Sequence, residues 1–171
     1  MRPHEHFLVA FLPVFVYVLL RYRRIPSKGM VFVLVIGSQL PDLVDKPLAF
    51  SIGILPSGRV FMHSLPFALP LAVLVLVYAW ATDRSYLGIG FVWAHLLHLA
   101  GDFRFSLFKG QIPPDLIWPF APASPSPDIP FWARNTPVTV EIWTAFSVLV
   151  IGTAVIMFSA DVVSQLRHST G

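Results

Sequence analysis

His95-x-x-His98-x-x-x-Asp102 is the segment of this sequence best suited to chemistry. On a helix turning 100° per residue, separations of three, four and seven bring side chains to one face, so two imidazoles and a carboxylate converge. Imidazole nitrogen and carboxylate oxygen suit zinc or a similar divalent ion, and three such ligands leave a coordination position open. The same residues could instead serve as polar contacts that hold membrane helices together, and the segment by itself does not separate the two readings.

Other residues of the same chemical types lie elsewhere in the chain. Asp42 and Asp45, in Pro41-Asp42-Leu43-Val44-Asp45, are three apart and share a helical face. Paired carboxylates repel unless a cation or proton lies between them. They could also form a solvated helix end, although negative charge at a helix C-terminus opposes the dipole. In the segment Gly58 to Leu65, His63 is a candidate ligand and Arg59 offers a planar fork suited to phosphate. Arg59 could equally extend to a membrane surface as an interfacial cation, and Ser64 reads as a helix cap rather than a nucleophile. His4-Glu5-His6 is too close-spaced for both histidines to share a helix face, so one of them is expected to be a ligand, with His6 nearer the first apolar stretch.

The elements that must position these residues are membrane helices. Hydrophobic residues make up 56% of the 171 positions and charged residues 12%, with a mean hydropathy of +0.71. Soluble domains carry roughly a quarter charged residues. Five apolar stretches, 7–20, 30–40, 65–81, 86–100 and 142–160, predict an all-α polytopic transmembrane bundle of about five spans in a single membrane-embedded domain over 1–171. The first two are short for a full crossing. Either they extend into their polar flanks or a polar site dips below the bilayer surface there. Pro13, Pro66 and Pro70 fall in or at spans, where membrane helices tolerate them. Arg2 before an apolar run resembles a secretory leader, but no small-x-small cleavage site follows, so a retained first span is expected.

Orientation follows from lysine and arginine in short loops. Arg21, Arg23, Arg24 and Lys28 place the first connection on the cytoplasmic side, and Arg84 and Arg167 agree with it. Five of the six histidines (His4, His6, His63, His95 and His98), together with Asp42, Asp45 and Asp102, then fall at the outer ends of spans. The topology rests on arginine and lysine alone, so this gathering is independent of it. The long outer loop, 101–141, holds eight prolines and cannot be helical throughout. With Trp118 and Trp132 among its prolines, and Trp143 just beyond them, it is either an aromatic belt along the headgroups or a lid over a site.

The net charge of +3 does not indicate nucleic-acid binding, because the positive residues collect at span ends rather than on a basic face. The absence of cysteine removes disulfides, thiolate ligands and a cysteine nucleophile.

In this order the motifs resemble those of the YdjM-like family of inner-membrane metal-dependent hydrolases. The resemblance runs from about His4 to Phe120: a histidine near the start, Gly37-Ser38-Gln39-Leu40-Pro41-Asp42-Leu43-Val44-Asp45, Gly58-Arg59 with His63-Ser64-Leu65, the segment His95 to Asp102, and Trp118-Pro119-Phe120. It implies residence in the inner membrane, a metal-dependent hydrolase activity and, more distantly, a likeness to the zinc-dependent phospholipase C and P1 nuclease group. Asp42, His63, and His98 with Asp102 match ligand roles in that group. Its trinuclear sites use two histidine-x-x-x-acid pairs and this chain has one, which implies one or two ions, zinc by preference.

The reading that follows is a membrane hydrolase acting on an ester or phosphoester of a lipid-like substrate at the outer, extracytoplasmic interface. Its ligands are His6 or His4, Asp42, His63, His98 and Asp102, with Asp45 and His95 in or near the coordination sphere. Asp45 serves as base and Arg59 orients an anionic group. Two other classes stay open: a cation or proton transporter using the same intramembrane acids and histidines, and a metal-stabilised scaffold without turnover, which would have a filled coordination sphere.

Overall fold

The computed structural model describes residues 2–125, all within one compact unit, Met1–Asn135. Four helices, α1 (Pro3–Tyr22), α2 (Lys28–Lys46), α3 (Leu65–Ala81) and α4 (Ser85–Phe108), carry most of it, and there is no strand among the described residues. A π-helical turn over Pro47–Ser51 follows α2, and a 3-10 turn over Pro114–Ile117 follows α4.

Local chemistry sets the ends of these helices. Pro3 opens α1 at a position where a missing N–H costs nothing, and the Arg2 backbone N–H donates to the Glu5 carboxylate at 2.7 Å. The helix closes on Arg23 in the left-handed conformation (φ 51°), whose N–H reaches Leu19 O. Ser27 then caps α2 by accepting from Met30 N at 3.2 Å. Ser64 holds the cap position of α3, but its hydroxyl turns back to donate to Phe61 O, so the expected side-chain cap is absent.

The first two apolar stretches extend through their polar flanks. At 20 residues α1 is about 30 Å long, the thickness of the hydrocarbon core. Among the described residues it is the one helix both long and apolar enough to cross a membrane. The 17-residue α3 is apolar but shorter. Four of the five expected spans are thus helices, the number that cross is open, and 142–160 lies outside the described residues. The expected outer loop also begins later than anticipated. No glycine or proline interrupts 102–108, so α4 runs on to Phe108 and ends before Gly110 (φ 67°). Of the 101–141 segment, only residues up to 125 are described.

Helix α4 packs against each of the other three, most extensively α2. Small residues permit the approach: a Cβ on Gly37 would lie 2.6 Å from the Phe91 backbone oxygen, and one on Gly88 would lie 2.5 Å from Ala79 Cβ. The Trp93 indole donates to Ala10 O at 3.2 Å and ties α4 to α1. Ala68, Leu99, Phe103 and Leu116 form a small apolar core with Leu65 against it. Most of the outer face of α3 is bare, with Val73, Leu74, Tyr78 and Trp80 all more than half exposed. That surface suits lipid rather than water.

Replacing Gly37 by alanine forces the α2 and α4 backbones apart and is expected to cost about 1–3 kcal/mol. Gly29→Ala meets the Leu87 side chain at an ordinary 3.5 Å and should be neutral or mildly stabilising. Thermal unfolding of the detergent-solubilised variants measures both, and equal melting temperatures would refute the close-packing account.

Candidate metal centre

Four elements deliver donors to one end of the bundle. Near the start of α1 is His6, and the last turns of α2 bring Asp42 and Asp45. The segment entering α3 brings Arg59 and His63, and α4 presents His95, His98 and Asp102. The largest fully buried side chains include His6, His63, His98 and Asp45. A low-dielectric interior tolerates such groups only when they are paired or bind a cation.

Asp45 is wholly buried. Its Oδ1 accepts from Met62 N at 2.8 Å, and its Oδ2 lies 2.9 Å from His63 Nδ1 and accepts from His63 N at 3.4 Å. The carboxylate therefore holds a proton of His63 on Nδ1 and leaves the Nε2 lone pair facing the centre. His98 is fixed the same way: its Nδ1 lies 2.6 Å from Ser38 O and must donate to it, so its Nε2 also points forward as a lone pair. The two Nε2 atoms meet at 3.0 Å. Two lone pairs at that distance require a cation between them, either a proton or a metal ion.

Two carboxylates flank this pair. Asp42 Oδ1 lies 3.5 Å from His63 Nε2 and 3.8 Å from His98 Nε2, is buried and accepts no hydrogen bond, while Oδ2 pairs with Lys46. Asp102 Oδ2 is 3.6 Å from His63 Nε2 and 2.9 Å from Arg59 Nε. One donor atom from each of Asp42, His63, His98 and Asp102 falls within 4.8 Å of the others. Tetrahedral coordination with ~2.0–2.1 Å bonds separates donors by about 3.3 Å. Four of the donor pairs are spaced at 3.0 to 3.8 Å and all lie within 4.8 Å, so the set could close on a divalent ion with a small contraction, and the orphaned Asp42 oxygen is placed to join it.

Burial alone would lower the His63 pKa, but Asp102, Asp42 and Asp45 outweigh it and raise it to about 10. Without metal, therefore, His63 carries the proton that separates the two nitrogens.

The expected ligand set is partly reassigned. Asp45 lies outside the four-donor group, with both oxygens engaged in holding His63, so it is placed as neither ligand nor base. The physical cause is the chain reversal after α2, which lays the Met62 and His63 backbone over the end of that helix. His95 also lies outside. Its Nε2 is 3.1 Å from Met62 O, which makes it a brace for the segment that carries His63. Because α1 is helical from Pro3, His4 and His6 diverge by about 200°. It is His6 that reaches the centre: it stacks on His98 at 3.7 Å, with Nε2 3.1 Å from Asp102 Oδ1 and out of line for a hydrogen bond. It stands beside the four donors as a further one. Arg59 borders the centre through its ion pair with Asp102, its side chain 48% exposed.

Two contributors were not anticipated. Lys46 neutralises Asp42 from the next turn, a pairing that the i,i+4 spacing could have revealed. Ser38 acts through its backbone carbonyl, which leaves no side-chain signal.

Asp45→Asn should weaken divalent-metal affinity about 10–100-fold without removing a ligand, because the imidazole is no longer held in one tautomer. A metal titration of the purified protein measures this, and unchanged affinity would refute the orienting role. Zinc added at pH 7 must also displace the His63 proton. About one proton per ion should therefore be released into weak buffer, with affinity weakening as pH falls.

No curated protein and no solved structure matches the chain. One family model, described as YdjM inner membrane protein, matches residues 1–166. A model covering nearly the whole chain establishes membership: this chain belongs to the YdjM inner membrane protein family.

Proposed function

We propose that the protein is a membrane-bound metal-dependent hydrolase that cleaves a phosphoester or ester bond in a lipid-like substrate, with zinc as the preferred ion. The observation that carries this reading is the placement of Arg59: a half-exposed guanidinium beside Asp102 at the edge of an otherwise buried donor set. Arg59 offsets the charge of Asp102, and its exposed half adds what a purely structural centre does not need, contact with an incoming anionic group.

Asp42, His63, His98 and Asp102 would hold the ion, and such an ion supplies Lewis acidity to a phosphoryl or acyl oxygen. Each chain residue has a separate task. Asp45 and Ser38 O keep the two imidazoles in the ligating tautomer. Lys46 offsets the charge of Asp42, and Arg59 can turn from Asp102 toward the anionic part of a substrate. Support for a lipid-like substrate comes from the apolar rim: Leu43, Ile52 and Ile54, beside Asp42 and in the segment leading to Arg59, are each more than 60% exposed. At this end of a membrane protein they favour contact with a bilayer over contact with a soluble polymer.

The four-donor set itself favours a second reading, a metal-stabilised scaffold, since four protein ligands can close a tetrahedral sphere. Hydrolysis of phospholipid phosphoester and carboxyl-ester bonds by protein stripped of metal and then reloaded with zinc separates the two. The hydrolase reading expects activity that returns with metal, falls to background in Asp42→Asn and Asp102→Asn, and shows a raised KM with a smaller change in kcat in Arg59→Gln. Tight zinc binding without turnover on either bond type would establish the scaffold. Full activity in either aspartate variant would defeat the mechanism.

A further inference from the structure

The other end of the same helices carries a second feature, independent of the metal centre. A groove of about 860 Å³ opens between α1 and α4, its walls formed by Pro13, Val14, Tyr17, Val18, Ile89 and Trp93. Tyr17 and Ile89 are both about 60% exposed, an apolar surface left open among the described residues. Trp93 closes the inner end, its indole N–H engaged with Ala10 O. At the mouth, Arg24 and Tyr22 line the groove, and the Arg21 and Arg24 guanidiniums lie 5.4 and 5.3 Å from the Tyr22 ring. Arg23 and Lys28 stand at the same turn.

The dimensions match one kind of occupant. From Tyr22 to Pro13 along α1 is nine residues, or about 14 Å. Half of a ~30 Å hydrocarbon core is about 15 Å. The groove is thus an apolar channel one leaflet deep, headed by cationic side chains at headgroup level. A soluble anion would have no use for the apolar length, and a neutral lipid would make no use of the arginines.

We propose that this groove is a binding site for an anionic phospholipid, with one acyl chain lying along Val14, Val18 and Ile89 and the headgroup phosphate on Arg24. The Tyr22 ring, within cation–π range of Arg24, keeps that guanidinium at the mouth. The mouth of the groove lies about 24 Å along α1 from His6 and its inner end at Pro13 about 10 Å, and none of the four metal-centre donors is in its lining.

Native mass spectrometry of the detergent-solubilised full chain, given equimolar dioleoyl phosphatidylglycerol and dioleoyl phosphatidylcholine, tests the site. One phosphatidylglycerol should be retained about fivefold or more over phosphatidylcholine. Arg24→Gln should abolish that preference, whereas Arg84→Gln, at the same end but outside the groove, should keep it. Val18→Trp, and Val14→Phe as a second filler, should reduce retention of both lipids without changing the melting temperature in lipid-free detergent. Equal retention of the two lipids by the wild type would overturn the proposal, as would a preference that survives Arg24→Gln. Undiminished retention in both groove-filling variants would show surface charge acting alone and would also overturn it.

Discussion

Two imidazole nitrogens face each other at 3.0 Å, each directed there by a group behind it: the Asp45 carboxylate behind His63 and the Ser38 carbonyl behind His98. Neither histidine can relieve the conflict by changing tautomer without breaking a buried hydrogen bond. The lone pairs therefore demand a cation, and the rest of this end of the molecule is arranged around that demand. Asp42 and Asp102 supply negative charge on two sides, and Lys46 and Arg59 limit its excess. The helices must then hold four separate chain segments to within a few tenths of an ångström. That requirement accounts for glycine where α2 crosses α4 and for the continuation of α2 beyond Pro41 to Lys46.

The helical frame was legible because its signal is local. Apolar runs bounded by arginine clusters and proline marked Leu65–Ala81 to the residue, and marked the middles of the other three helices. The ends of those helices were legible only in part: the spacing of Asp42 and Asp45 and of His95, His98 and Asp102 already suggested helix, but the continuation of α4 through residues 103–108 carries no apolar periodicity that marks it. The donor types were legible for a related reason: a histidine or aspartate beside a span has few inexpensive roles. Which donor goes to which task was not. Asp42 and Asp45 share a helical face and the same chemistry, yet Asp45 orients His63 while Asp42 faces the centre. The difference arises from the backbone of Met62 and His63 folding over the end of α2, a contact between residues 17 and 18 apart.

The two ends of the bundle solve different electrostatic problems with the same helices. At the donor end, charge is buried, so it has to be compensated within a few ångströms by oriented partners. At the other end, arginines sit in the open around Tyr22, where water and headgroups can solvate them, and the interior beside them is apolar. A helix of about 30 Å keeps these environments apart.

The character of the centre turns on Asp102. Its carboxylate lies between His6 on one oxygen and Arg59 and His63 on the other, so it cannot serve all three at full strength. Were a divalent ion bound, the draw of Asp102 toward it would weaken its hold on Arg59. The guanidinium is half exposed and so able to swing outward. A bound anion would complete the exchange by giving Arg59 a new partner while Asp102 stays with the ion. Such a swap needs no backbone movement, which suits a site whose donors are fixed by packed helices. It would also make the occupancy of the centre and the availability of Arg59 two aspects of one equilibrium, linked through a single carboxylate.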